Sequence, residues 1–263
     1  MELRNLFLKS SEYSFEDNVF YTSNIQRPSS FESLYINLRQ KENRVYPDKM
    51  VKLLPEVPLN HPLRREWQLR KSTSQNLIAY LARKDDNPKI LELGCGNGWL
   101  CNHLASLPGS EVLGMDINGI ELAQASRVFS ERKNLCFVYA DILSSSIPDI
   151  RPQHIILSAS VQYFRDIGNL LNRLLALLAD GGEIHIVDSP VYSEDNVSHA
   201  RKRSEEYFSN LGFPMMKHCY HHHTWKMFKP FHPKIQYDPT TFFNKMKQEF
   251  SFASPFPWII ITR

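Results

Sequence analysis

The chain has 263 residues, 42% of them hydrophobic and 22% charged, with a formal net charge of +3. This balance supports a sizeable core and excludes disordered, collagen-like and disulfide-stapled chains. Four cysteines without a CxxC pair fit a reduced, intracellular protein. Residues 1–17 contain no apolar signal-type run, and no stretch approaches the ~18 consecutive apolar residues of a membrane span, so a soluble, cytoplasmic protein is expected.

In chain order, residues 1–60 are polar, studded with aromatics and weakly periodic, and read as an N-terminal extension or cap. Residues 61–84 predict a long helix entered after Pro62. Short apolar runs then alternate with amphipathic segments. KILEL (89–93), EVLGM (111–115), LCFVYA (135–140), HIILSA (154–159) and EIHIVD (183–188) read as strands. Residues 98–107, 119–132 and 166–179 read as the helices between them, the last halted by Asp180-Gly181-Gly182. Apolar strands separated by helices imply right-handed βαβ crossovers and an α/β, Rossmann-like, doubly wound, mostly parallel sheet. Beyond it, residues 193–212 predict a helix, 215–223 a sixth strand, 238–250 a helix capped by Asp238, and 257–262 a final strand.

The charge is unevenly spread. Residues 1–75 hold 12 Lys/Arg against 9 Asp/Glu, residues 76–188 hold 9 against 13, and residues 189–263 hold 10 against 6 with six of the ten histidines. An acidic middle thus lies between two basic flanks.

The most informative stretch is Glu92-Leu93-Gly94-Cys95-Gly96-Asn97-Gly98-Trp99, between the first of the five strands and its helix. Glycines are needed where the backbone takes positive φ or a ligand lies against it. A nicotinamide-type G-x-G-x-x-G would place its third glycine at position 99, which is Trp99. Glu92 beside this loop would repel a pyrophosphate but not a cation.

ELGCGNG resembles motif I of the class I S-adenosylmethionine-dependent methyltransferases, and the later signals follow in that family's order. The resemblance covers roughly residues 64–188 and the last strand. It implies a cofactor site built from Glu92, Gly94, Cys95, Gly96 and Gly98, with Asp116 and Ile117 at the ribose. It further implies Asp141 and Ile142 at the adenine, and Ser158 and Ala159 beneath the methionine part. The implied cofactor is S-adenosyl-L-methionine, leaving as S-adenosyl-L-homocysteine. Residues 61–263 then form the methyltransferase domain. Its cofactor core is 85–190, an acceptor-side lid spans 190–256, and the last strand is 257–262.

Methyl transfer by in-line displacement needs orientation and exclusion of water more than a shared catalytic triad. Groups beyond the fourth and fifth strands are the candidates for handling the acceptor, and Tyr163 and Asp188 lead them. His154 and His185 lie at the start and middle of strands and read as hydrogen-bonded structural residues. Asp188-Ser189-Pro190-Val191-Tyr192 departs from the D-P-P-Y type of motif in position and composition. Cys219, His221 and His223 could share one face of a strand as zinc ligands, but no carboxylate or CxxC accompanies them and no metal is expected. The aromatic, basic C-terminal region suits a small-molecule acceptor, aromatic or anionic. The alternatives are RNA or protein as acceptor, or a cofactor-binding protein without turnover.

Overall fold

The computed structural model describes residues 2–23, 25, 30–250 and 252–263. The chain opens with α1 (Glu2–Leu8) and a hairpin, β1 (Tyr13–Glu16) and β2 (Val19–Thr22). Asp17 and Asn18 form its two-residue turn, both with positive φ (49° and 62°), as the twist of a tight hairpin requires. Next come α2 (Ser30–Lys41), the short α3 (Asp48–Val51) and the long α4 (Arg64–Lys84). The alternating unit comprises β3 (Lys89–Leu93), α5 (Trp99–Leu104), β4 (Glu111–Asp116), α6 (Gly119–Val128), β5 (Leu135–Tyr139), β6 (His154–Ser158), α7 (Ile167–Leu177) and β7 (Glu183–Val187). The chain ends with α8 (Val197–Asn210), α9 (Trp225–Phe228), β8 (Lys234–Tyr237), α10 (Phe242–Phe250) and β9 (Trp258–Thr262).

Among the described residues the strands form one sheet ordered β1-β2-β5-β4-β3-β6-β7-β9-β8. β3 to β7 are mutually parallel, while β9 runs antiparallel to β7 and β8. β3 to β7 are almost wholly buried, as expected of strands covered on both faces. One face packs α4, α5 and α6, with Leu77, Leu81, Leu100, Leu104 and Leu122 in the core. The other packs α1 and α7, whose Leu170, Leu171 and Leu174 are fully buried, each contributing about 1.5–3 kcal/mol. Asp166 starts α7 by accepting the Asn169 N–H at 2.9 Å. The chain runs outward from β3 to β5, then crosses back to β6 and β7. The sheet's topological switch therefore lies between the carboxyl ends of β3 and β6, where α/β sheets place ligands.

Two sequence expectations need correction, and the N-terminal segment adds strands that its sequence does not announce. Residues 215–223 form no strand: 214–218 are a 3₁₀ turn, and only Thr224 bridges to Tyr192. The outer strand is instead β8, an exposed edge lacking the apolar alternation that would reveal it. The last helix begins at Phe242, because the Asp238 carboxylate is taken by the Thr240 N–H and hydroxyl at 2.8 and 2.7 Å. The Asn244 N–H turns to the Thr241 hydroxyl at 3.4 Å. Finally, the N-terminal segment extends the sheet, with β2 parallel to β5.

Candidate active site

A cavity of about 770 Å³ opens at the switch point. Its floor is the loop after β3, joined to the segment after β6 by the Ser160 hydroxyl, which donates to the Leu93 carbonyl at 2.8 Å. Gly94, Gly96 and Gly98 all have positive φ (77°, 51° and 72°), a region costly for residues with a Cβ. Packing adds a second reason at two of them. A Cβ at Gly94 would stand 2.5 Å from Ser160 Cβ, and one at Gly98 would stand 2.8 Å from the Phe137 ring.

Asp116, ending β4, ties this loop down. Its Oδ2 accepts the Gly96 N–H at 2.7 Å, and its Oδ1 accepts the N–H groups of Ile117 and Asn118 at 2.7 and 3.0 Å. Burial still pushes its pKa upward. Two further carboxyls stand under the loop. Glu92 is 3% exposed, accepts the Cys101 S–H at 2.9 Å, and is pushed up to about 8, chiefly by burial. Glu121 is pushed to about 7, again mainly by burial, although Arg39 pulls it down. Asn118 accepts the Glu121 N–H at 3.2 Å and donates its amide to Glu121 Oε2 at 3.0 Å. That reciprocal cap starts α6 and holds the carboxyl toward Gly96.

Of the residues the sequence singles out, Glu92, Gly94, Cys95, Gly96, Ser158, Ala159, Tyr163 and Asp188 line the cavity. Gly98, Asp116 and Ile117 are not part of its lining, although Asp116 holds the lining residue Gly96. Asp141 and Ile142 do not reach it. Asp141 closes a local turn, accepting the Leu143 N–H at 3.0 Å and the Ser144 hydroxyl at 2.8 Å, and Ile142 is core. The Cys95 thiol is held up to about 12 by burial, which leaves it a small filler rather than a nucleophile.

Sequence reading misses the roof. Tyr35 and Arg39 on α2, Trp67 and Arg70 on α4, and Tyr207 and Phe208 on α8 all face the cavity. The basic flanks supplied a hint, but charge counts cannot assign side chains to a pocket. Arg44 pairs with both oxygens of Glu66 at 2.6 Å, and Arg70 also reaches Glu66. Tyr163 meets Tyr35 and Tyr220 edge-to-face at 5.4 and 5.8 Å. Its hydroxyl pKa is raised by burial, so it stays a phenol and a hydrogen-bond donor at neutral pH. Asp188 has φ 51° and accepts the Thr73 hydroxyl at 2.9 Å. Burial raises its pKa as well, the direction a proton acceptor near neutral pH needs. Two buried polar atoms facing this chamber have no partner among the described residues, Gln162 Oε1 and Arg39 Nε. Such groups are costly unless a ligand or water satisfies them.

The histidines divide into two groups. His154 and His185 lie at the amino end of β6 and within β7. Trp258 Nε1–H donates to His185 Nδ1 at 3.2 Å, which places the His185 proton on Nε2. That proton points to His154 Nδ1 at 3.2 Å, leaving His154 Nε2–H to donate to Asp85 at 2.6 Å. With Glu183 this is, among the described residues, the group whose possible ligand atoms lie within 4.8 Å of one another. The tryptophan donor leaves the proton of neutral His185 on Nε2, and the set is wired as a hydrogen-bond chain. The second group, Cys219, His221 and His223, shares no strand face. His223 donates to the Val161 carbonyl at 3.1 Å.

A family profile described as "Methyltransferase domain" matches residues 61–253. Trans-aconitate 2-methyltransferase of Acidovorax sp. (strain JS42) is 34% identical over 98 residues, 37% of this chain and 36% of that protein. Sterol 24-C-methyltransferase erg6 of Aspergillus fumigatus is 24% identical over 136 residues, 49% of this chain and 36% of that protein. The chain thus spans about a third of the length of these curated relatives. Among solved structures, geranyl diphosphate C-methyltransferase from Streptomyces coelicolor A3(2) superimposes with a TM-score of 0.58 at 11% identity. That match covers 90% of this chain and 99% of that one, and shows a shared fold. With the switch-point cavity and the glycine loop that floors it, the chain belongs to the class I S-adenosylmethionine-dependent methyltransferases.

Proposed function

We propose that the protein transfers a methyl group from S-adenosyl-L-methionine to a small-molecule acceptor seated against an aromatic wall. The observation that carries this is the acidic floor. Glu92, Glu121 and Asp188 face one chamber, and burial holds each above its ordinary carboxylate range. Glu92 and Glu121, pushed up to about 8 and about 7, are kept partly protonated by desolvation, which suits a cationic ligand that would draw them into ionisation and opposes a pyrophosphate. The residues therefore fit the sulfonium cofactor. Gly94 to Gly98 would hold it along the backbone, with Asp116 fixing the loop and Glu92 and Glu121 supplying negative charge. When bound, the cofactor supplies an electrophilic methyl group.

This chain's own residues have the remaining work. Tyr35, Tyr163, Phe208 and Tyr220 exclude water and orient an apolar or aromatic acceptor. Gln162 Oε1 supplies an unpaired acceptor for an N–H or O–H on that molecule, and Tyr163 supplies a donor. Asp188 takes the proton that an O–H or N–H acceptor must release. The cavity size lies within the usual range for small-ligand sites, roughly 300–1,000 Å³. Its enclosure by α2 and α8 favours a metabolite over RNA or a protein side chain. The test is transfer of isotope-labelled methyl from S-adenosyl-L-methionine into a fractionated metabolite extract. Label should enter one small-molecule fraction. Asp188→Asn should lower kcat while leaving S-adenosylhomocysteine affinity within about twofold. Label entering only RNA or protein would overturn the acceptor assignment.

A further inference from the structure

A second cavity, of about 190 Å³, adjoins the main chamber and shares Ser204 and Tyr220 with it. Arg165, Arg201 and Lys217 rim it, from the segment before α7, from α8, and from the 3₁₀ turn 214–218. All three are exposed, and none has a carboxylate within ion-pairing distance among the described residues. Glu205 is the one acidic side chain in the lining. The floor is His221, His222 and His223, of which His222 and His223 are buried. His222 Nε2 meets the shared Ser204 hydroxyl at 2.9 Å. The His221 N–H donates to the Gln162 carbonyl at 2.7 Å. The histidine run is therefore braced against the residue whose side chain presents an unpaired oxygen to the main chamber.

We propose that this side lobe is an anion subsite, holding a phosphate-type group at the far end of the methyl acceptor. Three cations, unpaired among the described residues, converge on a concave surface whose lining holds a single carboxylate, Glu205. Such a surface attracts an oxyanion bearing several acceptor oxygens. Charge alone would describe any basic surface. The geometry adds that the lobe shares Tyr220 with the aromatic wall, its ring meeting both Tyr163 and His222 edge-to-face at 5.8 and 5.3 Å. One molecule can place an anion on the arginines and an apolar body against the tyrosines. The neutral state of His221 and His222, favoured by burial and by Arg165 and Arg201 nearby, would shift toward the cation when an anion arrives.

The inference rests on the methyltransferase reading for what occupies the main chamber, and its test is separable from that reading. Phenyl phosphate, inorganic phosphate and phenol are titrated into the full chain at constant ionic strength. Histidine ring signals are followed by NMR, and S-adenosylhomocysteine affinity is measured in parallel. Phenyl phosphate should bind at least tenfold more tightly than phenol or inorganic phosphate and should move the His221–His223 signals. An Arg201→Gln/Lys217→Gln variant, altered only at exposed side chains, should weaken phenyl phosphate at least tenfold with S-adenosylhomocysteine binding unchanged. Equal phenyl phosphate affinity in that variant overturns the subsite, as does phenol binding as well as phenyl phosphate. Inorganic phosphate binding as tightly as phenyl phosphate overturns the link to the acceptor. Loss of S-adenosylhomocysteine binding by the unaltered chain would instead count against the methyltransferase reading.

Discussion

Replacing Glu92 with Gln should make the ligand-free protein more stable, and increasingly so as the pH rises. Glu92 is buried beneath the glycine loop with the Cys101 thiol as its donor, and burial pushes its pKa up to about 8 from the ordinary 4.5 of a glutamate. The sign follows from proton binding. Below about pH 4.5 both folded and unfolded chains hold the proton, and the carboxyl costs nothing. Between 4.5 and 8 the unfolded chain releases it while the folded chain keeps it, so stability falls by about 1.4 kcal/mol per pH unit. From pH 5 to pH 8 the accumulated loss is of the order of 3–4 kcal/mol. A glutamine is neutral in both states and removes this slope while the other buried acids contribute equally to both proteins. Urea unfolding of wild type and Glu92→Gln at pH 5, 6.5 and 8 measures the difference directly. The gap should widen by about 3 kcal/mol, near 10 °C in Tm for a chain of this size. Parallel pH profiles would refute the claim that this carboxyl is held protonated by desolvation. The same variant should bind S-adenosylmethionine more weakly, because the negative charge that a cation would induce is gone.

Other expectations are as direct. Gly98→Ala, with φ 72° and a Cβ position 2.8 Å from Phe137, should cost roughly 2–5 kcal/mol in chemical denaturation; a loss under 0.5 kcal/mol would contradict the packing. Asp116→Ala should release the Gly96 N–H and weaken S-adenosylhomocysteine at least about tenfold by calorimetry, and unchanged affinity would remove Asp116 from the site. Burial holds His154 and His185 below the ordinary histidine range, so their contribution is complete above about pH 6.5 and drains away as the pH falls through their lowered values. A His154→Gln/His185→Gln variant should therefore lose part of the acid-side slope seen in wild type between pH 6.5 and 5, and an unaltered slope would show that the pair does not titrate as described.

How much of this was legible beforehand depended on periodicity. The parallel strands are apolar on both faces and flanked by amphipathic helices, so β3 to β7 and their order of chemistry could be read directly. β9, an Ile-rich run, could be read for the same reason. β8 could not, because Lys234–Tyr237 is an exposed edge with three of its four residues open to solvent. The β1–β2 hairpin carried a signal in Asp17-Asn18, but Tyr13–Glu16 is too exposed to alternate clearly. Within the site, the glycine loop and Asp116 were legible because backbone conformation limits residue choice there. Glu121 was not, since an Asn-x-x-Glu spacing announces a helix cap without saying that the carboxyl also faces a cavity. Asp141 shows the converse: a strand-end aspartate matched by its position alone satisfies its own turn. The roof from α2 and α8 depends on long-range packing and lay beyond local pattern.

The central claim is that the switch-point cavity takes a sulfonium cofactor rather than a dinucleotide. Isothermal calorimetry of the unaltered chain with S-adenosylhomocysteine and, separately, NAD⁺ tests it most directly. One site of micromolar or tighter affinity for S-adenosylhomocysteine, with no heat from NAD⁺, is the predicted result. Tight NAD⁺ binding without a response to S-adenosylhomocysteine would contradict the account.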